Sequence, residues 1–600
     1  MVFCLALSVP RSYGQVAFSP VPLAFPQIVI GGDPTGVNYT TLIQMINNNS
    51  ATVTGKLSLL SDSGSALQGS FDGQSPQTSL DISLGPSEFR QIAVTLEGGV
   101  TVGWLAAAFS PAEVVTSVIL QYRSGASLLS EVGVDPAYST VLNTDFAIDT
   151  DDGLNTGVAL ANPSTSPTYI LARLWDPATG TAGASTIIAL AGNGHIARFV
   201  TEIFPDALNI TKTRAKVSLD GCSSASCTFG GGNGFIATAI RINGDQFTTV
   251  PVAPRVSGGP TTRILPQVAF GGASSGLNMK TVLYLTTNVS TGVFGTAEIF
   301  NDDGTPLLAS IDGASPATSF PFTVPGNRVT RIALSGDETL RGGWLRLTLP
   351  GQAHLVANAL FQTFEGTTLV SEASVLDTPV MTRGLIPLRI QPGTDIGLAL
   401  ANPQTESNTA TITLHDLSGT AVATSEITLP PSGHLAKFVT EIFAAQFKDL
   451  PLFDGAVSIR STSALAPLAL RLGSGKIATL PVTEDGFHRP SITSMGISRT
   501  QRSPAQVDFS IDVRDVDSDV AKSGASSVAV DAYIDFGSVN DFLTVTLDGT
   551  AMIDRTTATL TGIFRPRITG IQANTPATLY LQVYDTQGNV SNLIAASFRF

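Results

Sequence analysis

A histidine and a glutamate recur together at two places in this sequence. His195 is followed by Glu202, and His434 is followed by Glu441 at the same spacing. An imidazole near a carboxylate can bind a metal ion or transfer a proton. No third ligand or nucleophile repeats with the pair, which favours the alternative: the histidine caps a turn and the glutamate lies on the exposed side of a short helical turn. We therefore assign no catalytic residue.

A second pattern with chemical meaning is Gly-x-Ser-x-Gly at residues 272–276, the sequence of a hydrolase nucleophile elbow. The elbow requires a sharp turn from a strand into a helix, which the surrounding residues do not predict. Pro34 stands where Ser274 would be in the other half of the chain. We interpret the pattern as a turn, and nothing in the sequence predicts an enzyme.

Acidic residues alternate near the C-terminal end of the chain. Asp515, Asp517 and Asp519 present carboxylates on every second residue, and Asp585 lies in a later loop. Oxygen-rich clusters bind calcium in extracellular modules, although the order of an EF-hand loop is absent. Two interpretations follow, a calcium site or a solvated acidic loop, and no other cofactor is predicted.

The cysteines indicate a small cross-link. Cys4 lies in an apolar N-terminal stretch, whereas Cys222 and Cys227 lie in an insertion that the second half of the chain lacks. Two cysteines at this spacing fit no set of four zinc ligands. We predict a surface disulfide between Cys222 and Cys227, with two free thiols as the alternative. Because closing so short a loop removes little chain entropy, its stabilising effect is expected to be small.

The elements that must position these residues are duplicated. Residues 25–252 recur at 264–482, and the match is close over residues 194–204 (GHIARFVTEIF) and 433–443 (GHLAKFVTEIF). Repeats of this kind are typical of stacked modules with a structural or binding role. Function must therefore be interpreted through the duplication.

A finer repeat divides each half again. In four places an asparagine closes an apolar run, and an aspartate that opens a turn follows fourteen residues later. The pairs are Asn48 with Asp62, Asn162 with Asp176, Asn288 with Asp302, and Asn402 with Asp416. The spacing predicts four related modules of about 115 residues, which is the usual size of a domain.

Polar and apolar residues alternate within the modules, as in residues 53–59 (VTGKLSL) and 411–415 (TITLH). A period of two residues is typical of strands with one solvated face, and turn residues recur about every 8–12 positions, as in β-sandwiches. The one helical candidate is FVTEIF at 199–204 and 438–443, expected to close one end of a sandwich. The predicted fold class is all-β, a tandem array of antiparallel β-sandwich domains.

The repeats define the predicted domains. They are A1 (15–136), B1 (137–256), A2 (257–378), B2 (379–484) and a fifth, unrelated immunoglobulin-like module (485–600). Residues 1–14 form a candidate signal peptide, because an apolar run is followed by small residues. We therefore expect the protein to be secreted or bound at the cell surface.

Composition excludes two classes of partner. The net charge is −14 and no basic stripe is present, so we exclude nucleic acid. A membrane-spanning helix needs about 20 apolar residues, and no such stretch is found. Trp104 and Trp344 occupy the same place in Gly-x-Trp-Leu segments, for which a core position is favoured over a sugar-stacking platform.

Two parts of the chain resemble known modules. Residues 25–482, with Phe-Pro-Gln at 25–27, the ALANP segments and the Gly-His-x-Ala-(Arg/Lys)-Phe turns, resemble a repeat of large secreted proteins of Acidobacteria. Residues 584–592 (YDTQGNVSN) resemble the last hairpin of bacterial immunoglobulin-like or fibronectin-type modules. The first resemblance implies extracellular β-sandwich arrays of unassigned role and supplies no catalytic or binding residue.

The predicted function is that of a noncatalytic modular protein, a structural, adhesive or protein-interaction scaffold with protein or glycan partners. One alternative is a carbohydrate-binding protein, which needs aromatic rings side by side on an open face. Another is the accessory region of a secreted hydrolase, and an enzyme needs a cleft with converging titratable groups. The exposure of Trp104, Trp344, His195 and His434 distinguishes these functions.

Overall fold

The computed structural model describes most of the chain between residues 16 and 600. The segments outside the described residues are 1–15, 18–22, 34, 50, 111–113, 138–139, 209–212, 223, 228–233, 256–258, 274–275, 449–451, 485–490, 503–504, 515–526, 536–539, 549–556, 566–570 and 584–593. The candidate signal peptide, Cys4, Pro34, Ser274 and the proposed calcium ligands Asp515, Asp517, Asp519 and Asp585 lie in these segments.

The fold is all-β, as the alternating pattern predicts. Strands account for 67% and helices for 4% of the structure, and the paired strands are antiparallel. The first strand, β1 (Val16–Ala17), pairs with the strand Ser491–Arg502 of the C-terminal region. The repeat pattern predicts instead that residues from 15 onward belong to A1.

A1 contains nine strands in one continuous hydrogen-bonded network. They are β2 (Leu23–Gly32), β3 (Val37–Asn47), β4 (Val53–Leu60), β5 (Ser70–Phe71), β6 (Ser79–Leu84), β7 (Phe89–Thr95), β8 (Gly98–Ser110), β9 (Val114–Ser124) and β10 (Ser127–Val134). The order is β10-β9-β3-β2-β8-β4-β6, with β7 on β3 and β5 on β7. Phe25, Leu57 and Phe71 are buried in its core.

B1 is built from two sheets and two short helices. Its elements are β11 (Asn143–Asp149), a 3-10 turn (Asp151–Gly153), β12 (Asn155–Ala161), β13 (Thr168–Trp175), β14 (Ala182–Leu190), β15 (His195–Phe199), α1 (Val200–Ile203), α2 (Pro205–Leu208), β16 (Arg214–Cys222), β17 (Ile236–Asn243), β18 (Gln246–Val250) and β19 (Ala253–Pro254). The sheet orders are β14-β13-β16-β11-β19 and β15-β12-β17-β18. Val200 and Ile203 of α1 lie in the core.

A2 repeats the strand pattern of A1 and divides it into two sheets. Its strands are β20 (Thr262–Phe270), β21 (Leu277–Thr286), β22 (Val293–Phe300), β23 (Ser310–Ile311), β24 (Ser319–Val324), β25 (Val329–Ser335), β26 (Arg341–Thr348), β27 (Val356–Glu365) and β28 (Thr368–Leu376). The orders are β20-β26-β22-β24 and β23-β25-β21-β27-β28.

B2 repeats B1 with one long strand joining its sheets. Its elements are β29 (Met381–Ile390), β30 (Thr394–Ala401), β31 (Asn408–His415), β32 (Ala421–Leu429), β33 (His434–Phe438), α3 (Val439–Ile442), α4 (Ala444–Phe447), β34 (Phe453–Gly473) and β35 (Lys476–Leu480). The order is β32-β31-β34-β30-β33, with β29 and β35 also paired to β34.

Residues 22–221 and 233–487 form one compact unit. Each of its four apolar cores is a separate cluster, yet some take side chains from a neighbour. Leu42 and Ile119 of A1 lie in the core of B2, and Leu468 of B2 lies in the core of A2. The four modules therefore share packed junctions.

A second compact unit combines residues 1–21, 222–232 and 488–600. Its strands after β1 are β36 (Ser491–Arg502), β37 (Ala505–Arg514), β38 (Ser527–Asp535), β39 (Asn540–Asp548), β40 (Thr557–Phe564), β41 (Pro576–Val583) and β42 (Ile594–Arg599). They form an eight-stranded sheet in the order β1-β36-β37-β40-β39-β38-β41-β42. Phe509 and Phe564 are buried in its core.

The asparagine repeat is predicted one residue too late in A1. Asn47, not Asn48, has the role of Asn162 and Asn402: its Nδ2 donates to the carbonyl groups of two neighbouring loops. In A2 the equivalent position is Thr287 rather than Asn288. The asparagine stands where the strand ends, because a loop carbonyl group there needs a hydrogen-bond donor. Residue spacing alone does not show where the strand ends.

Candidate functional site at the module junctions

The four modules of the first unit contact one another in the closed order A1, B1, A2, B2 and back to A1. Strands β10, β18, β28 and β35, one from each module, lie against each other. Two kinds of junction result, and each occurs twice. We call A1–B1 and A2–B2 the A-to-B junctions, and B1–A2 and B2–A1 the B-to-A junctions.

A histidine and an aspartate pair at each A-to-B junction. His195 Nδ1 lies 2.7 Å from Asp62 Oδ1, and His434 Nδ1 lies 2.7 Å from Asp302 Oδ1. Both imidazoles are fully buried, whereas the two carboxylates are 57% and 68% exposed. The backbone N–H of each histidine also donates to the carbonyl of the same aspartate. The repeated aspartates of the A modules thus bind the next module, in addition to opening a turn.

The structure does not bring the histidines and glutamates of the sequence motif together. The backbone N–H of Phe199 donates to Glu202 Oε2, and that of Phe438 to Glu441 Oε2, both at 2.8 Å. Each glutamate caps the first turn of a short helix. The metal-binding or proton-transfer interpretation of the pair is therefore wrong. In the part of the chain that the structure describes, no three His, Cys, Asp or Glu side chains gather as metal ligands.

The two repeated tryptophans complete the A-to-B junctions. Trp104 Nε1 donates to the carbonyl of Asn193 at 2.8 Å, and Trp344 Nε1 to that of Ser432 at 2.7 Å. The tryptophans are 2% and 0% exposed, so they occupy the buried position that the sequence favours. Neither ring is available as a sugar platform.

Glycine permits this close approach. Gly64 has a φ of +80°, and a Cβ at this position would lie 2.2 Å from the carbonyl oxygen of Gly192 in B1. Gly304 has a φ of +82°, and its Cβ would lie 2.0 Å from the carbonyl oxygen of Pro431 in B2. Both the left-handed backbone and the missing side chain are therefore required.

A buried ion pair lies at each B-to-A junction. Arg241 Nε of B1 is 2.9 Å from Glu372 Oε1 of A2, and Arg471 Nε of B2 is 3.0 Å from Glu131 Oε1 of A1. All four side chains are at most 7% exposed. Each glutamate accepts a further hydrogen bond from a glutamine of its own module. Such a pair satisfies charges that would be costly to bury alone.

Beyond this shared pair, the two B-to-A junctions differ in chemistry. The B1–A2 junction buries Lys216 with Asp145, Nζ to Oδ2 3.0 Å, and each side chain is 1% exposed. Burial lowers the pKa of Lys216, because desolvation disfavours its charge. The B2–A1 junction has an apolar cluster instead, which consists of Ile46, Phe89, Val115, Leu385 and Ala456.

The B1–A2 junction also surrounds a small cavity. Tyr284 donates its hydroxyl to Asp149 Oδ2 at 2.6 Å, and Arg241 Nη1 lies 3.8 Å from the same oxygen. Burial raises the pKa of Tyr284 to about 12. The cavity that these residues line measures about 20 Å³, which is room for about one water molecule.

A fully enclosed histidine lies at the edge of the same junction. His354 Nε2 lies 3.2 Å from the carbonyl oxygen of Pro254, and its Nδ1 accepts the backbone N–H of Asn288 at 3.3 Å. The ring is 3% exposed. Burial lowers the pKa of His354 to about 4, so the imidazole is neutral near pH 7.

Three aromatic rings stack at the A1–B1 junction. Tyr39 and Tyr122 have ring centroids 5.1 Å apart, and Tyr122 and Phe247 have centroids 5.3 Å apart. Burial raises the pKa of Tyr39. The three rings lie side by side, and each is half-buried. The second half of the chain has Met279, Thr363 and Ile477 at these positions.

Cys222 and Cys227 form a disulfide, with Cα atoms 5.2 Å apart. Cys222 is the last residue of β16.

The charged residues of the B-to-A junctions can be recognised in the sequence, although not from the spacing of the repeats. Glu131, Glu372, Arg241 and Arg471 are single charged residues within apolar strands, as in AIRIN and ALRLG. A lone charge on a buried strand needs a partner. The partners lie in other modules. The sequence therefore indicates that each charge needs a partner, but it does not indicate which residue that partner is.

Comparisons with known proteins give no family. No family model matches the chain, and no curated protein matches it. Among solved structures, the glycoside hydrolase domain of Endo-D from Streptococcus pneumoniae R6 is similar at 13% identity and a TM-score of 0.13, over 41% of this chain and 32% of that one. The tetra-tandem repeat in the extending region of a large adhesion protein is 10% identical with a TM-score of 0.14, over 80% and 95% of the two chains.

A third similar structure is a glycosyl hydrolase family 2 member from Bacteroides cellulosilyticus DSM 14838, at 7% identity and a TM-score of 0.11, over 80% of this chain and 92% of that one. The present chain thus spans about a third of the length of the first of these proteins. Among the described residues, no helix has the length and apolar character needed to cross a membrane.

Proposed function

We propose that this protein is a noncatalytic secreted or cell-surface scaffold, and that its four-module unit is a rigid platform for adhesion or protein interaction. One observation carries the proposal. The buried charged side chains of the junctions, such as Arg241, Glu372, Arg471 and Glu131, pair between modules. An enzyme instead directs such groups into an open cleft.

The closed order of the modules supports rigidity. Each module is held by two neighbours, and each junction contains polar groups that are buried and satisfied only in that arrangement. Separating two modules would break these contacts and would also expose apolar side chains packed across the junctions, such as Leu42 and Ile119 of A1 in the core of B2, to water. Relative motion of the modules is therefore disfavoured, as a platform that holds partners at fixed distances requires.

Edge strands offer a means of binding a protein partner. β14 and β32 lie at the ends of their sheets, and most of their residues are exposed or half-exposed. An edge strand can pair with an extended segment of another protein through main-chain hydrogen bonds. We expect protein partners to bind at these edges and at the loops beside them.

Location is the first experiment. The intact cells that produce the protein are treated with a protease that does not enter them, and the protein is followed by immunoblot beside a cytosolic marker. We expect the protein in the medium or cleaved at the surface while the marker is intact. Protection of the protein together with the marker contradicts the proposal.

Activity and glycan binding are tested on the purified full-length chain. A panel of chromogenic glycosides and a glycan array are incubated with the protein, with and without added calcium. The scaffold proposal expects no turnover and no glycan binding. Turnover that follows the protein through two purification steps indicates a hydrolase, and specific array binding indicates the carbohydrate-binding alternative.

A further inference from the structure

A buried lysine contacts an asparagine of a different module. Lys216 Nζ, on β16 of B1, lies 2.9 Å from Asn327 Oδ1, in the turn between β24 and β25 of A2. The same Nζ lies 3.0 Å from Asp145 Oδ2 and 3.2 Å from the carbonyl oxygen of Thr287. An amine, a carboxamide and a carboxylate are thus collected at one point inside the protein.

The equivalent point at the other B-to-A junction has none of these groups. Strand register establishes the equivalence, since Asp145 lies opposite Ser218 as Leu385 lies opposite Ser458. In the same register Lys216 corresponds to Ala456.

The turn position matches as well. Asn327 lies three residues after the end of β24 in A2 and has a φ of 54°. Ser87 lies three residues after the end of β6, the equivalent strand of A1, and has a φ of 57°. Lysine, aspartate and asparagine are therefore replaced together by alanine, leucine and serine, while the backbone is retained. A B-to-A junction forms without them, so their joint presence at B1–A2 calls for a chemical explanation.

We propose that Lys216 and Asn327 form an isopeptide bond that covalently joins B1 to A2, with Asp145 as the proton-transferring residue. The reaction converts a primary amine and a carboxamide into a secondary amide and releases ammonia. It needs no enzyme, cofactor or second substrate, because all three groups are held in contact by the fold.

The proton and electron balance is complete. Asp145 removes a proton from the Lys216 ammonium, and the freed lone pair of Nζ attacks Cγ of Asn327. The bond from Cγ to Nδ2 then breaks, while the proton held by Asp145 and a second proton from Nζ pass to Nδ2. The new amide nitrogen keeps one hydrogen, Nδ2 leaves as ammonium, and Asp145 is again a carboxylate. Nothing is oxidised or reduced.

The surroundings favour this chemistry. Desolvation lowers the pKa of Lys216 and so increases the fraction of neutral, nucleophilic amine. Ser218 Oγ donates to Asp145 Oδ1 at 2.6 Å, which fixes the carboxylate. The ring of Trp175 lies 4.9 Å from Nζ and covers the amine.

Intact mass spectrometry of the full-length protein tests the proposal. After allowance for the disulfide, the measured mass is expected to be lower than the sequence mass by one ammonia. Proteolytic digestion should give a branched peptide containing residues 216 and 327. A mass equal to the sequence mass, with both peptides recovered unlinked, overturns the proposal.

The matched variant is Asn327→Ser, because serine occupies the equivalent place at the other junction. Its mass is expected to equal its own sequence mass, and its circular dichroism spectrum to match that of the wild type. Asp145→Asn should also remain unlinked while keeping Lys216. As the converse control, Ser87→Asn places an asparagine where no lysine exists, and its junction is expected to stay unlinked. A loss of ammonia that persists in Asn327→Ser contradicts the assignment.

Stretching single molecules provides a second readout that does not depend on mass. The linked residues are 111 positions apart, and a covalent link prevents this segment from extending under force. At about 3.3–3.6 Å per residue, Asn327→Ser should extend roughly 370–400 Å further than the wild type. Equal contour lengths of the two proteins would show that no link is present.

Discussion

Arg241 Nε lies 2.9 Å from Glu372 Oε1, and each of these residues belongs to a different module of the closed four-module unit. The same contact is made by Arg471 and Glu131 at the opposite junction. Because both pairs lie between modules, they form only when the modules close on one another. The pairs therefore specify the arrangement of the modules, whereas the apolar cores specify the individual sandwiches.

The first prediction concerns Arg471→Met. The substitution leaves Glu131 buried without its counter-charge, because among the residues that the structure describes its carboxylate pairs with no cation besides Arg471. We expect the free energy of unfolding to fall by about 3–5 kcal/mol. Urea unfolding followed by circular dichroism measures the change.

The double variant Arg471→Met with Glu131→Met removes both charges and is expected to recover most of the loss. Lys56→Met is the control, since Lys56 and Asp81 form an ion pair with 54% and 83% exposure. Breaking such a surface pair should cost at most about 1 kcal/mol. A similar loss in Arg471→Met and Lys56→Met would show that the buried pair does not hold the junction.

The sandwiches are predictable from the sequence because their information is local. Alternation of polar and apolar residues over segments such as 53–59 encodes a strand with one wet face, and β4 covers this segment with alternating burial. The short helical candidates are likewise confirmed as α1 and α3, with Val200 and Val439 in the cores. Each of these elements is specified by residues within about ten positions of one another.

The junctions are not predictable in this way because their partners are distant in sequence. Asp62 and His195 are 133 positions apart, and Glu131 and Arg471 are 340 positions apart. Both members of the first pair are conspicuous as repeated residues, yet the repeat favours His195 with its near neighbour Glu202. Long-range pairing depends on how whole modules pack, and residue spacing does not contain that geometry.

A second prediction concerns the A-to-B junctions. Asp62→Ala and Asp302→Ala each remove the acceptor of a buried imidazole N–H, and each is expected to cost about 1–3 kcal/mol. Because the two contacts have the same 2.7 Å length, the two losses should be similar. Thermal unfolding of both variants measures this.

Asp312→Ala is a suitable control for these two variants. Asp312 is an exposed turn residue whose Oδ1 accepts the backbone N–H of Ala333 within A2, so its loss affects no junction. Increased protease cleavage near residues 195 or 434 should accompany only the junction variants. Equal cleavage of all three proteins would contradict the assigned role of the histidine–aspartate pairs.

The disulfide is predicted to have a limited effect. Cys222 and Cys227 are separated by five positions, and closing so short a loop is worth at most about 2 kcal/mol by the chain-entropy relation. The double variant with serine at both positions should therefore keep the spectrum of the native protein and lose only a few degrees in Tm. Differential scanning calorimetry measures the change, and loss of the folded state on reduction would contradict this expectation.

The last prediction follows from His354. Its pKa is lowered from 6.5 to about 4 by burial, with Asp145, Arg263 and Lys216 as the charged groups that act on it. Between these two values the unfolded chain binds a proton that the folded protein does not bind, so the free energy of unfolding falls as the pH is lowered through this window. The contribution of His354 to the free energy of unfolding is fully present above about pH 6.5, and the loss by about pH 4 is on the order of 3 kcal/mol.

His354→Gln keeps a hydrogen-bonding side chain but cannot titrate, so its stability should decline less over the same range. Carboxylates titrate equally in both proteins, which makes the difference between the two curves the decisive measurement: it should narrow as the pH falls from 7 to 4. Parallel curves would show that His354 is not the group that makes the B1–A2 junction sensitive to acid.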